Sequence, residues 1–192
     1  MDPLSETLAA ITQALDGLKI RYAVGGSMAS SVRSIWRSTM DVDLVAAIWP
    51  AQVDELVTTL GSDWYADAGE MRRSIQAGRS FNLIHIRNAL KVDIFPARED
   101  FHQAQLDRAT TVPLGLAEIP CAVATAEDIL LAKLRWYRDG GEVSDRQWND
   151  IAGIIATNPN LDADYLQLWA ARLGVSGLLQ RACDQVKRDQ PL

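Results

Sequence analysis

Val24-Gly25-Gly26-Ser27, followed further along by Asp41-Val42-Asp43-Leu44, is the stretch on which the fold turns. Arg21 to Val24 reads as a short strand, Gly25-Gly26-Ser27 as a tight turn, and Met28 to Trp36 as the helix that leaves it. Asp41 to Val45 alternates as a strand with one wet face does. Residues two apart on a strand project to the same side, so Asp41 and Asp43 present paired carboxylates. Like charges held that close resist joint ionisation unless a cation neutralises them. Oxygen ligands at this spacing suit a hard divalent ion, Mg²⁺ or Mn²⁺. At the turn, free backbone N–H groups and the following helix dipole favour a phosphate, and missing side chains let it approach. Ser27 adds a hydroxyl donor to that cradle.

Working outward, Phe81 to Ile86 and Leu90 to Phe95 are β-rich runs joined by Arg87-Asn88-Ala89, the pattern of a hairpin. Its second strand carries a lone Asp93 between Val92 and Ile94. Beside Asp41 and Asp43, Asp93 would complete a three-carboxylate cluster of the kind that binds paired metals in phosphoryl or nucleotidyl transfer. An isolated Asp-x-Asp is usually solvated charge, and a lone Gly-Gly-Ser is merely a turn. Their order raises the functional reading: strand, glycine turn, helix, Asp-x-Asp strand, then a single Asp on a later strand.

Helical spacing recurs over residues 4–18, 50–60 and 99–109, with a polar helical stretch inside 62–80. Two short strands are expected to flank Pro113–Pro120. From Thr125 the pattern is helical nearly to the end, opened by a capping-box signature with Asp128 three places after Thr125. The class is therefore α/β, with a mixed-sheet core over 1–124 and a helical C-terminal region over 125–192.

The same order of motifs resembles the nucleotidyltransferase superfamily with the DNA-polymerase-β-like fold. The run Arg37-x-Thr39-x-Asp41-x-Asp43 is similar to AbiEii-like toxins of toxin–antitoxin systems, and aminoglycoside nucleotidyltransferases share the lead-in. The resemblance implies that Gly25, Gly26 and Ser27 hold a nucleoside triphosphate such as ATP. It implies that Asp41 and Asp43 bind metal, and that Asp93 completes the second metal site or assists the acceptor hydroxyl. Lys133, on a helical face with Ile129 and Tyr137, either snorkels over the core or, by the same resemblance, reaches the triphosphate. Arg37 is placed to contact phosphate or base, or to anchor the turn before the Asp pair.

The expected activity is transfer of a nucleoside monophosphate from an NTP to an acceptor hydroxyl, with tRNA as the acceptor of a toxin that has a cognate antitoxin. The alternatives are an antibiotic nucleotidyltransferase acting on a small molecule and a non-catalytic nucleotide-binding protein of the same fold.

Composition narrows the rest. The chain has 192 residues, 19 Lys+Arg against 25 Asp+Glu, and a net charge of −6, which disfavours coating nucleic acid by charge alone. Cys121 and Cys183 match no metal-ligand spacing or disulfide framework, so a cytoplasmic setting is expected. No signal-peptide pattern or membrane-spanning run is expected. Arg72, Arg73 and Arg79 form a local basic cluster whose default reading is a solvated face, with an RNA acceptor as the alternative. Arg146 and Asp150, one helical turn apart, suit a surface ion pair. His85 and His102 receive no catalytic role, and Trp136, Trp148 and Trp169 are expected to pack the helical part.

Overall fold

The computed structural model describes residues 1–33 and 41–189. Its first compact unit takes the chain up to Met28 and then the described residues through Ala124. Helix α1 (Pro3–Gly17) opens this unit, with Asp2 accepting a hydrogen bond from the Ser5 N–H and Pro3 in the first turn. Leu8, Ile11 and Leu15, at helical spacing, are fully buried. Strand β1 (Tyr22–Val24) then leads into α2 (Gly26–Arg33), and β2 covers Asp41–Ala46. The helix after the turn starts at Gly26, two residues before the expected Met28, so Gly26 and Ser27 belong to its first turn. After β2 come α3 (Val53–Leu60), the short strand β3 (Trp64–Tyr65) and α4 (Ala68–Gln76). The expected helix at Pro50 begins as a single 3₁₀ turn, Pro50–Gln52. Strands β4 (Phe81–His85) and β5 (Leu90–Pro96) form the hairpin, followed by α5 (Asp100–Arg108) and the strand pair β6 (Thr110–Leu114) and β7 (Ile119–Val123).

Among the described residues these strands form one seven-stranded sheet in the order β3-β4-β5-β2-β1-β7-β6. It is mixed: β2 runs parallel to β5 and β1 parallel to β7, whereas the other neighbours are antiparallel. Pro113 and Pro120 lie inside β6 and β7, opposite each other, rather than in the connection. Burial alternates along the central strands. Val42, Leu44, Val92 and Ile94 are fully buried, while Asp43, Lys91 and Asp93 between them are half-buried. Each such apolar side chain contributes about 1.5–3 kcal/mol, which pins the face of every strand.

The second unit consists of Ala29–Arg33 of α2 and the described chain from Thr125 on. It contains α6 (Ala126–Asp139), α7 (Asp145–Thr157), α8 (Ala163–Leu173) and α9 (Ser176–Asp189). The Thr125 hydroxyl caps α6 by accepting from the Asp128 N–H, as the capping pattern predicts. Ile129, Leu130, Leu134, Ile151, Ile154 and Trp169 are buried there. Trp136 departs from expectation: it is 38% exposed, because Leu130, Leu134 and Tyr137 take the inner face of α6.

Candidate active site

Three adjacent strands set the site's geometry in the first unit. The β1–β2 pairing puts Val24 opposite Leu44, so the chain leaving β1 passes the Asp43 backbone. The Gly25 N–H donates to the Asp43 carbonyl at 2.8 Å. At Gly26 the backbone turns left-handed, with φ +57°, a region that costs L side chains about 1–2 kcal/mol. A Cβ there would stand 1.8 Å from Asp43 Oδ2. Glycine at 26 therefore answers two demands at once: backbone conformation and room for the Asp43 carboxylate. That carboxylate lies against the N-terminal turn of α2, where the helix dipole favours negative charge. Ser27 occupies the same turn.

The parallel β2–β5 ladder pairs Asp41 with Lys91 and Asp43 with Asp93. Asp93 also faces Asn82 across the antiparallel β4–β5 ladder. Asp41, Asp43, Lys91 and Asp93 thus share the outward face of two neighbouring strands. Lys91 Nζ donates to Asp93 Oδ2 at 2.7 Å, with the lysine side chain 44% exposed and the aspartate 22%. The hydrogen bond to Asp93 holds the Lys91 ammonium above the ordinary lysine range; burial opposes the shift, and Asp93, Asp41 and Asp43 add their negative charge. Among the described residues no group of three or more His, Cys, Asp or Glu side chains converges at metal-holding spacing. The donor chemistry fits a hard cation nonetheless. The acidic groups on the face are carboxylates, without imidazole or thiolate among them, and Asp93 already engages one ammonium.

The other residues singled out from the sequence fall elsewhere. Arg37 and Thr39 lie outside the described residues. Lys133 belongs to the second unit, is 6% exposed, and donates to Asp150 Oδ2 of α7 at 3.0 Å. Asp150 is therefore a partner of Lys133, across a helix–turn–helix, which an i,i+4 reading with Arg146 does not suggest. Arg72 pairs with Asp54, and Arg73 with Glu70 at 2.9 Å, so both engage carboxylates of this chain. His85 is 2% exposed and meets Trp64 edge-on at 5.0 Å between ring centroids, a place in the core of the sheet.

One residue and one steric relation escaped the sequence reading. Lys91 stands two places before Asp93, so the period-2 rule already put it on the acidic face. The steric tie between Gly26 and Asp43 had no local signal, because it depends on how β1 pairs with β2.

No protein-family model matches the sequence, and no curated protein matches it. Solved structures do. The solution structure of the antibiotic-resistance factor ANT(2'')-Ia is 18% identical, with a TM-score of 0.53 over 96% of this chain and 100% of that one. The crystal structure of ANT(2'')-Ia with adenylyl-2''-tobramycin is 16% identical, TM-score 0.53, over 88% and 95%. An antigenic nucleotidyltransferase-like protein from Paracoccidioides brasiliensis is 22% identical, TM-score 0.53, over 92% and 90%. The chain has the nucleotidyltransferase fold, a mixed α/β sheet followed by C-terminal helices.

Proposed function

We propose that this protein is a divalent-metal-dependent nucleotidyltransferase that moves a nucleoside monophosphate from an NTP to an acceptor hydroxyl and releases pyrophosphate. One observation carries the reading. In a chain with this fold, the missing side chain at Gly26 makes room for the carboxylate of Asp43, which stands opposite Asp93 in the strand register. Asp41 and Asp43 would hold Mg²⁺ or Mn²⁺, with Asp93 completing a second site or accepting the acceptor's proton. When bound, the ion supplies neutralisation of the triphosphate's charge. Gly25, whose own N–H is held by the Asp43 carbonyl, would shape the turn by leaving it without a side chain, and Gly26 and Ser27 would receive the phosphates at the start of α2, with the Ser27 hydroxyl as a donor. Nucleotide-binding roles for Arg37 and Lys133 belong to the same proposal and are carried by the resemblance alone. Catalysis is by positioning and electrostatics, with no covalent bond to the protein required.

For the acceptor, observations favour a small cationic molecule over tRNA. The chain carries a net charge of −6, which attracts cations and repels a polyanion. Arg72 and Arg73 of the basic cluster are engaged by Asp54 and Glu70. ANT(2'')-Ia, similar along nearly the whole chain, was solved with an adenylylated aminoglycoside. The tRNA-modifying toxin with an antitoxin is the second reading, supported by the run from Arg37 to Asp43.

Incubating the purified chain with α-labelled NTPs, Mg²⁺ and either an aminoglycoside panel or total tRNA tests both. The expected outcome is labelled aminoglycoside, lost with EDTA and reduced at least about a hundredfold in Asp43→Asn. Labelled tRNA would move the protein to the toxin reading. Bound NTP without transfer to either acceptor would leave a non-catalytic nucleotide binder.

A further inference from the structure

We propose that Lys91 is a built-in counter-cation of the carboxylate face, holding Asp93 in place without a divalent ion and competing with that ion for the same oxygens. The inference rests on the reading of Asp41, Asp43 and Asp93 as the metal-binding face. On the outward side of β2, β4 and β5 the ladders bring together Asp41, Asp43, Asn82, Ile84, Lys91 and Asp93, and Lys91 alone of these carries positive charge. A lysine in mid-strand ordinarily extends its stem and leaves the ammonium in water. Here the side chain turns along its own strand, so that Nζ lies 2.7 Å from Asp93 Oδ2. Asp41 flanks it across the ladder.

The pair is open enough to exchange. With its side chain 44% exposed, Lys91 can swing its ammonium into solvent, and the incoming ion would then take over the charge of Asp93, whose side chain is 22% exposed. An ammonium and a hard divalent cation seek the same carboxylate oxygens, and both cannot hold Asp93 Oδ2 at contact distance. Lys91 is thus a positioning residue. It keeps three like charges on one face compatible with folding before the ion arrives, and its displacement is part of the cost of loading.

Binding of Mn²⁺ alone to the full chain, followed by electron paramagnetic resonance of free Mn²⁺, reads this directly without turnover. Lys91→Met is expected to bind Mn²⁺ at least about tenfold more tightly than wild type, roughly 1.4 kcal/mol. In EDTA it should melt below wild type, with the deficit closing as Mn²⁺ saturates. Lys91→Arg, which keeps the charge, should restore wild-type affinity, as a role in packing alone would not require. Lys91→Gln, which keeps a donor to Asp93, gives the same affinity test if the methionine variant folds poorly. Unchanged or weaker Mn²⁺ binding in the neutral variants, while Asp43→Asn abolishes it, would overturn the role of Lys91 and leave the metal face standing. Absence of saturable Mn²⁺ binding in wild type and Lys91→Met alike would overturn the metal face, and this inference with it.

Discussion

A methyl group at position 26 and the carboxylate of Asp43 claim the same volume, whereas one at position 25 would meet nothing nearer than the Asp43 carbonyl at 3.9 Å. Two neighbouring glycines therefore make different predictions. Gly25→Ala should unfold within about 0.5 kcal/mol of wild type. Gly26→Ala should lose at least about 1–2 kcal/mol from its left-handed backbone, and more from pushing Asp43 aside. Urea denaturation of the two variants checks the difference, and a Mn²⁺ titration of Gly26→Ala should show weakened binding. Equal stability of both would mean that the turn can relax around a side chain. Sequence alone marks both residues as turn glycines. It distinguishes them only once the β1–β2 pairing is known, because the decisive neighbour lies on another strand.

At the scale of elements, legibility follows range. The alternation in β2 and β5 is local, so the shared face of Asp41 and Asp43 and the half-exposed place of Asp93 could be read directly. Strand β3 has two residues, too few to show a period. The partner of Lys133 was hidden for a similar reason: Asp150 comes from the next helix, and its position depends on the turn between α6 and α7. That pair is 7% and 22% exposed, so breaking it strands a buried ammonium. Asp150→Ala should cost about 2 kcal/mol, less than a fully buried pair because Asp150 keeps some water. Lys133→Met combined with Asp150→Leu should recover most of that loss in thermal melts; a double variant no better than the single would show that the pair's geometry, not its charge, matters.

Strand β7 carries another element-level prediction. Cys121 is 1% exposed, and burial raises its thiol from 9.0 to about 11. The unfolded chain loses this proton first, so between about pH 9 and 11 the native state binds more protons and stability falls as pH rises. Near pH 8 a disulfide reagent should modify the more accessible Cys183 and reach Cys121 only on unfolding. Rapid native labelling of Cys121 would mean that β7 opens locally.

For the whole molecule, the division into compact units does not follow the chain in two simple pieces. The second unit recruits Ala29–Arg33, from a helix whose first turn belongs to the first. A fragment of residues 125–192 thus lacks part of its own unit. It is expected to show helical far-ultraviolet circular dichroism but a broad, non-cooperative melt with dye-binding apolar surface. A sharp melt of that fragment would show that α6–α9 suffice. The net charge of −6 bears on the acceptor at the same scale. If the acceptor is cationic, its KM should rise with ionic strength as screening shortens the reach of the chain's field.

The β2–β5 ladder runs in parallel without interruption from Asp41↔Lys91 to Ala46↔Pro96. Its register is fixed by which residues are apolar, not by the length of chain that joins the strands. Lengthening the connection between Ala47 and Ala89 therefore leaves the acidic face intact, and the exposed tip at Gly78 and Arg79 is a natural place for an inserted reporter. Deleting one residue within Leu90–Asp93 has the opposite effect. It would turn Asp93 into the core or force Val92 and Ile94 into water, so drift in length is tolerated in one segment and forbidden in the next.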